Sequence, residues 1–201
     1  MANLKFSRGG KLFIISAPSG AGKTSLAREA YKILSRSFPL KRVITCTSRA
    51  PRDKEVNGID YHFFSRDEFI QKERAGFFLE TTEYNGELYG SPRSIVDELL
   101  QGVSFLMVTT LSGVHAITKY IKNTVRIWIT VDSIETLKKR LLARGTISPT
   151  DLSHRLALAL QEMQQAEQEK FYDYQILNNN FNVATQELVG IITHELSELA
   201  K

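Results

Sequence analysis

One short stretch restricts this chain's fold more than any other. The apolar run "KLFIIS" (11–16) leads through "APSGAGKTS" (17–25) into a helical pattern over 23–36. Gly20, Gly22, Lys23 and Thr24 fall in the closing part of the phosphate-loop pattern G-x-x-x-x-G-K-[ST], with Ala17 at its first glycine position. Such a loop turns backbone N–H groups toward an anion, and glycines relieve the sterics of close approach. The helix behind it aims its positive dipole end at the same place. Lys23 offers a point charge to β- and γ-phosphates, and Thr24 offers a hydroxyl to Mg²⁺. The same letters can also make a glycine-rich strand-to-helix turn with no ligand. A buried strand before and a helix after are the context that nucleotide binding requires.

Strand-like runs alternate with helical patterns along the rest of the chain. "KRVITC" (41–46), "VSFLMVTT" (103–110), "TVRIWITV" (124–131) and "YDYQIL" (172–177) read as strands, and 184–200 as a closing helix. This alternation predicts an α/β fold with a parallel sheet covered on both faces. The stretch 47–95 departs from it. "IDYHFF" alternates with period two, Ser65 to Glu68 form a capping box, and the helix they open stops near Gly76. "FFLETTEY" and "ELYGS" then flank Asn85-Gly86, a hairpin turn signal. The expected organisation is a core of residues 1–46 and 96–201 with a small α+β lobe inserted at 47–95. "RGTISPTDL" (144–152) reads as a mobile loop, with Pro149 and Asp151 opening a fresh helix.

A kinase must also hold an anionic acceptor, which needs cations outside the phosphate loop. Arg49 and Arg52 stand three residues apart around Pro51, a spacing suited to gripping a phosphate dianion. Two arginines alone equally suit a solvated basic loop. Tyr61 and Tyr89 add phenolic hydroxyls that can complete a phosphate cage. Glu80 is a lone acid after three apolar residues, and a buried carboxylate needs a partner. The N1–H and N2–H₂ edge of guanine is such a partner; adenine has no such edge. "LKKRLLAR" puts Arg140 and Arg144 four residues apart on one helix face, which suits either a phosphate chain or a solvated basic face.

With these segments in place, the sequence resembles the guanylate kinases, from about residue 11 to its end. "APSGAGKTS", "TSRAPR", "EVNGIDYHF", "FLETTEYNGELYGS", "LKKRLLARG" and the Tyr172–Asn178 region carry the resemblance in order and spacing. It implies a P-loop NTPase core with an acceptor lobe and a lid at about 144–155. It implies an ATP-dependent transferase of purine nucleotide metabolism that converts GMP and dGMP to the diphosphates. ATP would be held by Ala17, Pro18, Ser19, Gly20, Ala21, Gly22, Lys23, Thr24 and Ser25. The GMP phosphate falls to Arg49, Arg52, Tyr61 and Tyr89. The guanine falls to Glu80, Ser91, Thr45 (where the family usually has Ser) and Thr110. Lys23, Arg140, Arg144 and Arg155 would be catalytic, and Mg²⁺ would come with ATP at Thr24.

One strand departs from that pattern. The family usually has aspartates at the positions of Val108 and Thr110, and Asn179 stands where members often have Asp. Two other readings therefore stand beside the first. One is a related kinase of another small phosphorylated acceptor, ribose 1,5-bisphosphate. The other is a non-catalytic phosphopeptide-binding module.

Composition narrows the classes further. Twenty-six basic and 22 acidic residues leave a net charge of only +4, and Lys138-Lys139-Arg140 is the one tight basic cluster, so no nucleic-acid partner is expected. No apolar run is long enough to span a membrane. Cys46 is alone and the four histidines lack ligand spacing, which argues against disulfides and a zinc site. The N-terminal stretch lacks a secretory pattern. A cytoplasmic monomer or small homo-oligomer is the expectation.

Overall fold

The computed structural model describes residues 9–53, 55–143 and 149–199. Arg144 and most of the expected loop at 144–152 lie outside them. The fold is α/β, with a central parallel sheet flanked by helices. The sheet's strands are β1 (Leu12–Ser16), β2 (Leu40–Arg42), β7 (Ser104–Val108), β8 (Thr124–Thr130) and β9 (Tyr174–Leu177). A second, four-stranded sheet comprises β3 (Cys46–Thr47), β4 (His62–Phe63), β5 (Phe78–Tyr84) and β6 (Glu87–Pro92). The helices are α1 (Lys23–Leu34), α2 (Arg66–Arg74), α3 (Ile95–Leu100), α4 (Leu111–Thr118), α5 (Ile134–Leu142), α6 (Pro149–Glu169) and α7 (Phe181–Leu199). No helix among the described residues is long and apolar enough to cross a membrane.

The chain divides into two compact units, Met1–Leu12 with Pro39–Thr124 and Phe13–Phe38 with Val125–Lys201. In the first unit, β2 pairs in parallel with β7, Leu40 opposite Ser104. The strand expected at 41–46 is in fact two. β2 ends at Arg42, and Cys46 and Thr47 join the other sheet. A run of apolar and β-branched letters shows strand propensity but not which sheet its ends will join, because the partners are distant in sequence.

The four-stranded sheet has the order β4-β3-β6-β5. Its β5–β6 hairpin turns at Asn85 (φ 53°) and Gly86 (φ 77°), as the Asn-Gly signal predicts. The capping box also forms: Ser65 Oγ accepts from Glu68 N, and Glu68 returns to Ser65 N. One sheet face is covered by a small core in which Phe69 of α2 stacks on Phe78 at 4.4 Å, beside Cys46. Gly90 lies under these rings, and a Cβ there would sit 2.9 Å from Phe78. The close packing explains the glycine. The opposite face, offset along each strand by one residue, carries the polar side chains described below.

In the second unit, β1 is buried along its length and α1 packs on α7. β8 and β9 pair in parallel, Trp128 opposite Gln175, and α5 packs on α6. α6 begins at Pro149, a residue suited to the first turn of a helix. α7 begins at Phe181, three residues earlier than its periodicity suggests, with Asn180 Oδ1 accepting from the N–H groups of Asn182 and Val183.

Candidate functional site

The second unit contains the phosphate loop. Gly22 stands before α1 in the left-handed conformation (φ 92°), and no side chain caps that helix. A side chain at Gly22 would also be blocked, since its Cβ would lie 2.6 Å from Asn178 Nδ2. Buried Asn178 donates from Nδ2 to the Ala21 carbonyl at 2.7 Å. Arg140 donates to the same carbonyl at 3.3 Å and to the Asn178 carbonyl at 2.7 Å. A trans peptide points its C=O and N–H in opposite directions. Fixing the Ala21 carbonyl therefore fixes the Gly22 N–H away from Arg140 and Asn178. Lys23 folds back over the loop and donates from Nζ to the Ala17 carbonyl at 3.2 Å. Thr24 and Ser25 are exposed at the start of α1.

Helix α6 turns Arg155, Ala159, Glu162 and Ala166 along one stripe, with Ala159 fully buried. Glu162 accepts a hydrogen bond from Ser19 N–H and lies within the field of Lys23. Burial, opposed by Lys23 and that N–H, pushes its carboxyl up to about 7. Its Oε2 is buried without a partner, as are Arg155 Nε and Asn178 Oδ1. Burial also pushes the Tyr172 phenol up, against the Ser16 hydroxyl beside it.

The first unit contains the expected acceptor residues. Arg49 and Arg52 converge on Glu55, a residue outside the expected site. Arg49 Nη2 donates to both Glu55 oxygens at 2.9 and 3.0 Å. Arg52 donates its backbone N–H to Glu55 at 2.7 Å, and its guanidinium lies 3.8 Å away. Tyr61 lies under the Arg49 guanidinium at 5.6 Å and edges Tyr89 at 6.2 Å. Burial and the neighbouring Tyr89 raise the Tyr61 phenol, with Arg49 opposing. For Arg49, burial works against the charge, yet Glu55 and Tyr89 hold its guanidinium above its ordinary value. Arg49 Nε remains buried without a partner.

Glu80 and Ser91 face each other across the β5–β6 ladder. Both are buried, and Ser91 Oγ donates to Glu80 Oε1 at 2.5 Å. Burial pushes the Glu80 carboxyl up to about 7 despite that bond, and its Oε2 has no partner. Tyr89 and Ser91 are alternate residues of β6, so they share a face about 7 Å apart. Thr82, opposite Tyr89, adds a buried hydroxyl without a partner. This face thus runs from surplus N–H donors at Arg49 to a surplus acceptor at Glu80, a polarity suited to a molecule with an anion at one end and N–H donors at the other.

Two expected residues are engaged locally. Thr110 caps α4, its Oγ1 accepting from Gly113 N at 3.1 Å and contacting Ser112 Oγ at 3.0 Å. Thr45 is half-buried before β3, and its carbonyl accepts from His62 N. Sequence reasoning missed Glu55, Thr82, Glu162 and the loop-holding role of Asn178. Only Glu55 had a local signal, being three residues after Arg52 and six after Arg49.

Residues 9–195 match the guanylate kinase family. The chain belongs to the guanylate kinase family. It is 37% identical over 186 residues to the guanylate kinase of Rubrobacter xylanophilus, covering 92% of this chain and 94% of that one. It is 40% identical over 184 residues to the guanylate kinase of Thiobacillus denitrificans, covering 90% and 85%. Among solved structures, it superposes on guanylate kinase from Anaplasma phagocytophilum with a TM-score of 0.76 at 27% identity, covering 96% of this chain and 88% of that one. As a guanylate kinase family member, the chain is a nucleotide-binding kinase of the ATP-dependent, purine-metabolic class.

Proposed function

We propose that the chain transfers the γ-phosphoryl group of ATP to GMP, and to dGMP, forming the diphosphate. The observation that carries this reading is Glu80: a buried carboxylate, oriented by Ser91, with one oxygen unpartnered. An N1–H and N2–H₂ edge satisfies such a carboxylate, and adenine presents none. Arg49, Arg52, Tyr61 and Tyr89 receive the acceptor phosphate, with Glu55 holding the two arginines in place. Residues 47–95, with Thr45 and Thr110 at the margins, serve as the acceptor lobe.

ATP is held by the loop from Ala17 to Ser25. Lys23 neutralises the β- and γ-phosphates, while Arg140 and Asn178 hold the loop backbone. Arg155 lies on the inward stripe of α6, and Arg144 is assigned by family resemblance. Mg²⁺ sites of this class use one or two protein oxygens plus phosphate oxygens and water. Thr24, exposed at the start of α1, supplies a hydroxyl oxygen of the required kind. The ion would offset phosphate charge. The acceptor oxygen is already anionic, so no residue has to act as a base. Catalysis is then positioning and charge stabilisation around an in-line transfer.

The test is ADP release with GMP, dGMP, AMP and ribose 1,5-bisphosphate as acceptors. Turnover of GMP and dGMP with little from AMP is expected. Equal turnover of AMP and GMP, or turnover of the sugar bisphosphate alone, overturns the reading.

A further inference from the structure

We propose that Glu162 is a proton-linked counter-charge of the phosphate loop: it holds the Ser19 amide and faces Lys23 in the free protein, and it binds a proton when a nucleoside polyphosphate takes those two groups. This rests on the proposed ATP-binding role of the loop and adds a proton to it.

The geometry forces a competition. A polyphosphate in this loop needs inward N–H groups and the Lys23 charge. Glu162 already accepts from Ser19 N–H and lies in the field of Lys23. An ionised carboxylate and a phosphate chain cannot both take those groups without strong like-charge repulsion in a partly buried site. The carboxylate has little freedom to leave. It projects from the middle of a 21-residue helix, on the stripe that includes fully buried Ala159.

Protonation resolves the conflict. It removes the charge and converts one oxygen into an O–H donor. Oε2, buried and without a partner, is then able to donate toward an anion rather than repel it. Among the described residues, the charged and titratable groups facing Glu162 are Lys23 from α1 and Tyr172 from the segment before β9, with Arg155 two turns away on α6. Lys23 and the Ser19 N–H favour the ionised form, and a bound polyphosphate would engage both. Burial already sets the carboxyl near neutrality, at about 7, so a modest further rise captures a proton from solvent.

The experiment is titration calorimetry of MgATP, with no acceptor, into wild type and Glu162→Gln in buffers of low and high ionisation enthalpy. The heat difference between buffers gives protons taken up per nucleotide. At about pH 8, where a group of pKa about 7 is mostly ionised, uptake by wild type should exceed that by Glu162→Gln by more than about half a proton. The Gln protein should bind at least as tightly there, with a flatter pH dependence. Should it not fold, uptake by wild type is compared with the ionisation of MgATP itself, measured alone. Binding with equal proton uptake in both proteins, or with no uptake other than the ligand's own, overturns this inference and leaves the ATP-binding reading intact. Absence of any MgATP binding refutes that reading, and this inference with it.

Discussion

Replacing Glu80 with Gln separates a base-reading carboxylate from a structural one. The carboxyl is displaced from 4.5 to about 7, chiefly by burial, with the Ser91 hydroxyl opposing. At about 1.4 kcal/mol per unit, that displacement costs the free protein up to about 3 kcal/mol once the group is ionised. The sign follows from linkage. A carboxyl whose folded-state pKa is raised has its stability in full below about 4.5 and loses it progressively until the pH passes about 7. Gln carries no charge at any of these pH values. Glu80→Gln should therefore match wild type at about pH 4.5 and exceed it by about 2–3 kcal/mol at about pH 8, or several degrees in melting temperature. Function should move the other way. Losing the charge-assisted bonds to the guanine edge costs about 1.5–3 kcal/mol, a rise of about 10- to 150-fold in KM for GMP. MgATP affinity should stay within about twofold, because a loss confined to one substrate does not register on the other. Thermal melts across pH and steady-state kinetics check both. A variant whose stability advantage is the same at both pH values, with GMP KM unchanged, would falsify both the burial argument and the assignment.

Three further substitutions test other parts of the site. Glu55→Gln removes the carboxylate between Arg49 and Arg52, whose side chains are 14% and 47% exposed; stability should fall by about 1–2 kcal/mol. Added sulfate should raise the melting temperature of that variant more than that of wild type, and equal shifts would show that Glu55 does not occupy an anion position. Gly22→Ala forces a Cβ to within 2.6 Å of Asn178 Nδ2 at φ 92° and should abolish MgATP binding while GMP still binds, as calorimetry of each ligand would show. Ser65→Ala breaks the capping box of α2 and should cost about 1 kcal/mol in denaturant unfolding without changing kcat.

How far the sequence reached depended on the range of each interaction. The glycine turn into α1, the Ser65 capping box and the Asn85-Gly86 hairpin were legible because their geometry is set within a few residues. The break between Arg42 and Cys46 was not, since β2 takes its partner from 104–106 and β3 takes its partners from 62–63 and 89–90. Arg140 illustrates the same limit at a candidate site. Its spacing to Arg144 suits a phosphate clamp, and its guanidinium also donates to the carbonyls of Ala21 and Asn178, 119 and 38 residues away. Helical periodicity tells which face an arginine occupies but not which backbone it meets. Glu162 lies 139 residues after Lys23, so no local pattern could have paired them. Glu80 was legible because a lone acid after three apolar residues demands a partner, and that demand is local even though Ser91 is on the next strand.

Glu80 and Glu162 share an unusual property: burial holds each near a pKa of about 7. Their proposed ligands act on them in opposite directions. The guanine edge donates to Glu80, which favours its ionised form and releases a proton. A phosphate chain competes with Glu162 for Lys23 and Ser19 N–H, which favours its neutral form and binds a proton. The two substrates should then have proton inventories of opposite sign near neutral pH. Raising the pH should tighten GMP binding through Glu80 and weaken MgATP binding through Glu162. Each dependence should vanish in the corresponding Gln variant and persist in the other, because each carboxyl titrates against its own ligand.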